Sequence, residues 1–192
     1  MNSMTPTLTS PREPAIPSGV IAMLLFVGTE VMLFMGFISA FSISKASALA
    51  WPPSDQPRLP VQITIVNTAI LVLSGVLLIL ANIAFRRGNI KNAKKYYGVS
   101  MICGLVFLLV QGFEWVRLLS YGLTLTSSSY GSYFYLLIGA HGIHAVLALL
   151  AMLALWPKFK RGTLKASTFY STQTFWYFVV GIWPILFGVV YF

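Results

Sequence analysis

Two carboxylates embedded in apolar runs, and two histidines three residues apart, are the side chains in this sequence best suited to chemistry. Glu30 lies in VIAMLLFVGTEVMLFMGFISAF and Glu114 in SMICGLVFLLVQGFEWVRLLSY. His141 and His144 stand in YLLIGAHGIHAV. The chain has four carboxylates in all, and the other two, Glu13 and Asp55, fall in Pro-rich polar stretches. A charged group near the centre of a bilayer costs roughly 2.5–3.5 kcal/mol on insertion scales, so each buried carboxylate must have a partner or a task.

Glu30 falls about a dozen residues into its apolar run, roughly 18 Å at 1.5 Å per residue, which is near the midplane. It is expected to sit against protein and to carry its proton. Two roles stay open: a proton-linked or lipid-contacting carboxyl, or a neutral acid hydrogen-bonded between helices. Glu114 differs. Arg117 follows three residues later, on the same helix face, and a local ion pair is the plain reading. Gln111, three residues before Glu114, adds polarity to that face.

The spacing of His141 and His144 puts both imidazoles on one side of a helix. Two neutral imidazoles could begin a metal site, but such sites usually need three or four ligands. Glu30 or Glu114 could complete one only if the fold brings them together. Two histidines on a single helix cannot clamp both faces of a haem. Hydrogen bonding between helices is the better reading. Asn67, Thr68 and Ser74, with Thr172, Gln173 and Thr174, read as polar glue between helices. Gly36, Gly75, Gly104, Gly139 and Gly142 are expected to allow close helix approach. No phosphate loop, nucleophile triad or zinc cluster is present, so nothing in the sequence looks catalytic by itself.

The elements that position these groups follow from composition. Of 192 residues, 57% are hydrophobic and 9% charged, with mean hydropathy +0.81. Soluble domains carry about 25% charged residues. An all-α integral membrane bundle is implied. The net charge of +9 does not point to nucleic acid, because the cations sit in short segments between apolar runs. A single cysteine, Cys103, can form neither an internal disulfide nor a paired-thiol site.

A transmembrane helix needs roughly 20 apolar residues. Five segments qualify, at about 19–43, 62–85, 97–120, 132–156 and 169–191. They form one domain over 18–192, preceded by a disordered or surface-lying tail over 1–17. Runs of this length exclude alternating barrel strands. Arg86, Arg87, Lys91, Lys94 and Lys95 follow the second run, and Lys158, Lys160, Arg161 and Lys165 follow the fourth. These basic segments should face the cytoplasm or matrix, placing the N-terminus inside and the C-terminus outside. The first run is too long for a cleaved signal peptide. Aromatic residues, Trp51, Tyr96, Tyr97, Tyr121, Tyr130, Trp156, Tyr170 and Tyr191, mark the predicted boundaries. Trp51-Pro52-Pro53 should open a rigid outer loop, and Pro184 should kink the fifth helix or free a carbonyl.

In order along the chain, six groups of residues resemble the haem–copper oxidase subunit III family. They are Thr29-Glu30-Val31-Met32-Leu33-Phe34 with Gly36-Phe37, then Trp51-Pro52-Pro53, then Asn67-Thr68 leading to Leu73-Ser74-Gly75. Gln111-Gly112-Phe113-Glu114-Trp115 follows. Tyr130-Gly131-Ser132 and Gly139-Ala140-His141-Gly142-Ile143-His144 complete the set. The resemblance covers nearly the whole chain. It implies a respiratory terminal oxidase that reduces O2 to water and moves protons, with haem and copper in subunits I and II. Subunit III of the family holds no redox centre or metal. It packs on subunit I, binds phospholipid and supports proton uptake. Glu30 then matches the family's buried, carbodiimide-reactive carboxyl. Glu114, Arg117, His141, His144 and Asn67 are polar positions within the bundle.

Two departures stand out. Many members have seven spans, and this sequence has five. The family's Trp-His-Phe-Val-Asp run appears here as Trp176-Tyr177-Phe178-Val179-Val180, so any role of that His and Asp is absent. The expected partners are oxidase subunits I and II, membrane lipids and other respiratory complexes in a supercomplex, with no nucleic acid. The expected location is a prokaryotic plasma membrane, with the mitochondrial inner membrane as the alternative. Competing functions are an accessory subunit of a nitric oxide reductase-type complex and an independent proton or ion transporter. The transporter reading lacks the inverted halves such proteins often show.

Overall fold

The computed structural model describes residues 18–53, 57 and 59–192. The expected tail over 1–17, with Glu13, and the loop residues Asp55 and Arg58 lie outside the described residues. Five α-helices appear, with no strand among the described residues: α1 (Ser18–Ser47), α2 (Val61–Arg86), α3 (Ile90–Ser120), α4 (Ser129–Arg161) and α5 (Ala166–Tyr191). Each is long and apolar enough to cross a membrane.

The helices outrun the apolar windows. α3 starts at Ile90 rather than near 97, and α4 ends at Arg161 rather than near 156. Lys91, Lys94, Lys95, Lys158, Lys160 and Arg161 are therefore helical, not in loops as expected. Hydropathy falls at the edge of the bilayer, but the backbone hydrogen-bond ladder continues until a cap ends it. Asn89 caps α3 by accepting from the Asn92 amide at 3.2 Å, and Ser128 caps α4 through the Gly131 amide at 3.1 Å. Gly162 closes α4 at φ 71°, a left-handed position that suits a residue without Cβ.

Proline interrupts two helices without ending them. Pro157 lies inside α4 and Pro184 inside α5. Beyond Pro157 the helix is anchored by packing, since Phe159 is buried and meets the Tyr97 and Phe169 rings at 5.2 and 5.4 Å. The Tyr97 hydroxyl donates to the Met152 carbonyl at 3.0 Å, and Lys94 donates to the Lys160 carbonyl at 2.9 Å. These bonds tie α3 to α4 near their basic ends.

The bundle has three layers. α2 pairs with α3, α4 pairs with α5, and α1 lies on the far side of α4 and α5, touching neither α2 nor α3. α5 contacts α1, α2 and α4 and is buried on several faces. Its two tryptophans, one heptad apart, fasten it to α2. Trp176 Nε1 donates to Ser74 Oγ and Trp183 Nε1 to Thr68 Oγ1, each at 2.8 Å. Ser100 of α3 joins the first bond by donating to the Ser74 carbonyl at 2.8 Å.

The glycines expected to allow close approach divide. A Cβ at Gly104 would press into the Trp176 ring, one at Gly142 into Trp115 and one at Gly75 into Val180. Gly36 and Gly139 have no such neighbour within 4 Å, because they do not face a helix interface.

α1 is the least embedded helix. Only Phe34 and Phe41 are fully buried, and its partly covered residues, Met23, Val27, Glu30 and Phe37 among them, recur every three or four positions. That spacing is a single narrow stripe of a helix. Leu25, Met32 and Ile43 on the other faces are 70, 75 and 70% exposed, as a lipid-facing surface requires.

Candidate functional site

The α1 stripe carries Glu30 into the groove between α4 and α5, about midway along the helix. There it meets His144 from α4. Glu30 Oε2 lies 2.9 Å from His144 Nε2, and the two side chains are 15 and 14% exposed. The other ring nitrogen, Nδ1, lies 2.7 Å from the Ala140 carbonyl one turn earlier.

That second bond restricts the chemistry. A carbonyl oxygen only accepts, so Nδ1 must carry a hydrogen. Nε2 then either accepts from a protonated Glu30 or donates, as part of an imidazolium, to an ionised Glu30. Both arrangements hold the same single proton in the Glu30–His144 bond, and both have zero net charge. The pair therefore reconciles a carboxyl with the mid-membrane position expected from the sequence, without requiring a net charge there.

An aromatic cage surrounds it. The Phe34, Phe178 and Phe175 ring centres lie 5.4, 6.1 and 6.2 Å from that of His144. Phe34 stands one turn after Glu30 on α1, while Phe175 and Phe178 come from α5. These apolar rings crowd the imidazole, and a polar bond in such low-dielectric surroundings is stronger than in water. The Glu30–Phe34 spacing is visible in the sequence, but the contribution of α5 is not, because it depends on how α1 docks.

Glu114 sits elsewhere, in α3, about 9 Å from its Ser120 end at 1.5 Å per residue. Its side chain is 4% exposed, and Oε1 lies 3.8 Å from an Arg117 nitrogen. Arg117 is 46% exposed and divided between partners. Its Nε donates to the Tyr121 hydroxyl at 3.2 Å, and the guanidinium stands 5.6 Å from that ring's centre.

His141 and His144 serve different seams. His141 is buried against Trp183 and Phe107, with ring centres 4.8 and 6.1 Å away, facing α3 and α5. Neither of its ring nitrogens has a hydrogen-bond partner among the described residues, so the expected interhelical hydrogen bond is made by His144 and not by His141. The two imidazoles do not converge. Among the described residues no three His, Cys, Asp or Glu side chains gather in a metal-binding group. Asn67 on α2 is 1% exposed and donates through Nδ2 to the Phe107 carbonyl at 3.1 Å. Tyr191, read from sequence only as a boundary marker, packs its ring against Phe187 and Phe134, with ring centres 5.0 and 6.4 Å away.

The position where the family motif has Asp is filled by apolar contact. Val180 packs on Gly75, and Tyr177 occupies the position of the motif His.

The five helices, each long and apolar enough to cross a membrane, make this a multi-pass membrane bundle. The sequence model of the cytochrome c oxidase subunit III family matches residues 4–192, and the chain belongs to that family. It is 30% identical over 178 residues to a chain of Mycobacterium leprae (strain TN) described as a probable cytochrome c oxidase subunit 3, covering 90% of this chain and 86% of that one. It is 30% identical over 176 residues to cytochrome c oxidase subunit 3 of Synechocystis, covering 90% and 74%. A match of 29% over 190 residues to the Mammuthus primigenius subunit covers 94% and 72%.

Proposed function

We propose that this chain is the third subunit of a haem–copper terminal oxidase, with haem and copper in subunits I and II. The oxidase complex reduces O2 to water and translocates protons. This subunit braces subunit I, binds phospholipid and sustains proton uptake, and it does not react with O2 itself. Its basic ends, at Arg86–Lys95 and Lys158–Lys165, face the cytoplasm, which puts the N-terminus inside and the C-terminus outside. The location is a prokaryotic plasma membrane, where other respiratory complexes are neighbours.

The observation that supports this best is the Glu30–His144 pair. One proton is held between two bases at mid-depth, at the edge of the bundle where α1 is thinly covered. A carboxyl so placed can pass a proton or contact a lipid without becoming a stranded charge. Glu114, Arg117, His141 and Asn67 shape the other side of the bundle.

The test is gentle purification through a tag on this chain. Co-elution of haem- and copper-bearing subunits that consume O2 supports the assignment. A nitric oxide-reducing complex, or proton transport by the chain alone in vesicles, would overturn it. In an assembled complex lacking this chain, initial O2 reduction should persist while the active lifetime shortens. Immediate and complete loss of O2 consumption would contradict the non-catalytic role.

A further inference from the structure

The cations at the basic end of the bundle fall into two groups. Some are engaged within the chain. Arg86 stands 5.4 Å from the Tyr170 ring centre, Lys160 stands 5.0 Å from that of Trp156, and Lys94 donates to the Lys160 carbonyl. Arg87 and Lys91, at the tip where α2 turns into α3, are exposed and have no such partner among the described residues. The described carboxylates, Glu30 and Glu114, both lie within the spans, so neither can serve the tip.

The tip also stands clear of the membrane boundary. The stacked Tyr97 and Trp156 rings, with centres 6.1 Å apart, mark the level at which aromatic side chains meet the headgroups. Lys91 is six residues beyond Tyr97 on the same helix, about 9 Å at 1.5 Å per residue. The headgroup layer on one side of a bilayer is only about 5–7 Å deep. Apolar side chains share this level. The short turn sets the last turn of α2 beside the first turn of α3, and Ile83 and Ile90 there are 40 and 39% exposed. Phosphate headgroups would satisfy the cations but would leave the two isoleucines bare. An acidic protein segment with apolar side chains satisfies both.

The turn is built to hold its shape. The Arg87 amide donates to the Ile83 carbonyl at 3.1 Å, the Gly88 amide to Phe85 at 3.1 Å and the Asn89 amide to Ala84 at 2.9 Å. Gly88 takes a left-handed φ of 73°, and the Asn89 side chain caps α3. A surface already fixed before contact loses little freedom on binding. We propose that the α2–α3 tip docks an acidic, partly apolar segment of a neighbouring subunit on the basic side of the membrane. Arg87 and Lys91 pair with its carboxylates, and Ile83 and Ile90 are covered by its apolar side chains. The inference rests on the reading of this chain as one subunit of a larger complex, and it assigns that assembly a point of contact.

A water-soluble carbodiimide tests it, because it joins an amine to a carboxylate only where the two touch. Applied to the purified complex, it should link Lys91 to an Asp or Glu of another subunit, as read by mass spectrometry of the digested product. Arg87→Gln with Lys91→Gln should abolish that link and lower retention of this chain at low salt, by up to about fivefold for each cation removed. The difference should shrink as salt rises. Lys45→Gln, at the opposite end of the bundle, should leave retention unchanged. A link from Lys91 only to a carboxylate of this chain would overturn the proposal. So would electron cryo-microscopy of the unsubstituted complex showing the tip bare or covered by lipid, a reading that holds even if the double variant does not assemble. Haem content and O2 consumption of the same sample report on the oxidase assignment separately. An oxidase without the link sinks the dock alone, and a link within a complex that does not reduce O2 sinks the oxidase assignment alone.

Discussion

Glu30 and Glu114 are both buried carboxylates in apolar helices, yet the fold treats them in opposite ways. Glu114 takes its ionic neighbour from its own helix, three residues away and 3.8 Å distant. Glu30 takes a partner 114 residues away and 2.9 Å distant. The first arrangement exists in an isolated α3. The second exists only when α1 has docked on α4. A close carboxyl pair inside an aromatic cage is thus a statement about assembly, whereas the looser pair at the edge is a statement about one helix.

The sharpest way to break this contrast is to strand Glu30. His144→Leu leaves a buried carboxyl without a partner and is expected to cost about 1–3 kcal/mol. It should appear as a lower melting temperature and loss of α1 protection against hydrogen exchange. The double variant Glu30→Leu with His144→Leu should recover most of that loss, because removing both polar partners leaves neither stranded. A double variant as unstable as the two single losses added together would show that the pair is not what holds α1.

Glu30→Gln should be milder. A glutamine N–H can donate to His144 Nε2 while Nδ1 keeps its bond to Ala140, so assembly should survive with a loss of about 1 kcal/mol or less. The proton shared with His144 is gone, however. If the carboxyl serves proton uptake, turnover should decline sooner in this variant at unchanged subunit content. Unchanged turnover lifetime would leave Glu30 a packing group.

Arg117→Ala should have the smallest effect of the series, since the side chain is half in solvent and shares itself with Tyr121. Salt separates the two sites further. Raising ionic strength should weaken the effect of Arg117→Ala on the melting temperature and leave that of His144→Leu unaltered, because screening acts mainly on exposed charges.

The same contrast explains what could be read from the sequence. The five spans were legible because bilayer thickness imposes a length on each apolar run. The Glu114–Arg117 proximity was legible because helical spacing alone creates it. The Glu30–His144 bond was not, since nothing local to either residue says which helices are neighbours. His141 and His144 looked equivalent for the same reason. They sit three positions apart on α4, but the helix carries them to two different seams. The tryptophan bonds from α5 to Ser74 and Thr68 were also hidden. Trp176 and Trp183 stand one heptad apart on α5, but the hydroxyls that receive their N–H groups belong to α2. The helix ends were misplaced where cationic residues extend α3 and α4 beyond the apolar window.

The long separation within the Glu30–His144 bond has a consequence for biosynthesis. α1 is made before α4, and the partner of Glu30 is encoded 114 residues later. At about 5–20 residues per second, the ribosome needs roughly 6–23 seconds to deliver that histidine after Glu30 has been translated. For that interval the nascent α1 faces lipid or the insertion machinery with an unmatched acid. α1 cannot take its permanent place until α4, and α5 beside it, have been made, so its docking reports that translation has passed both.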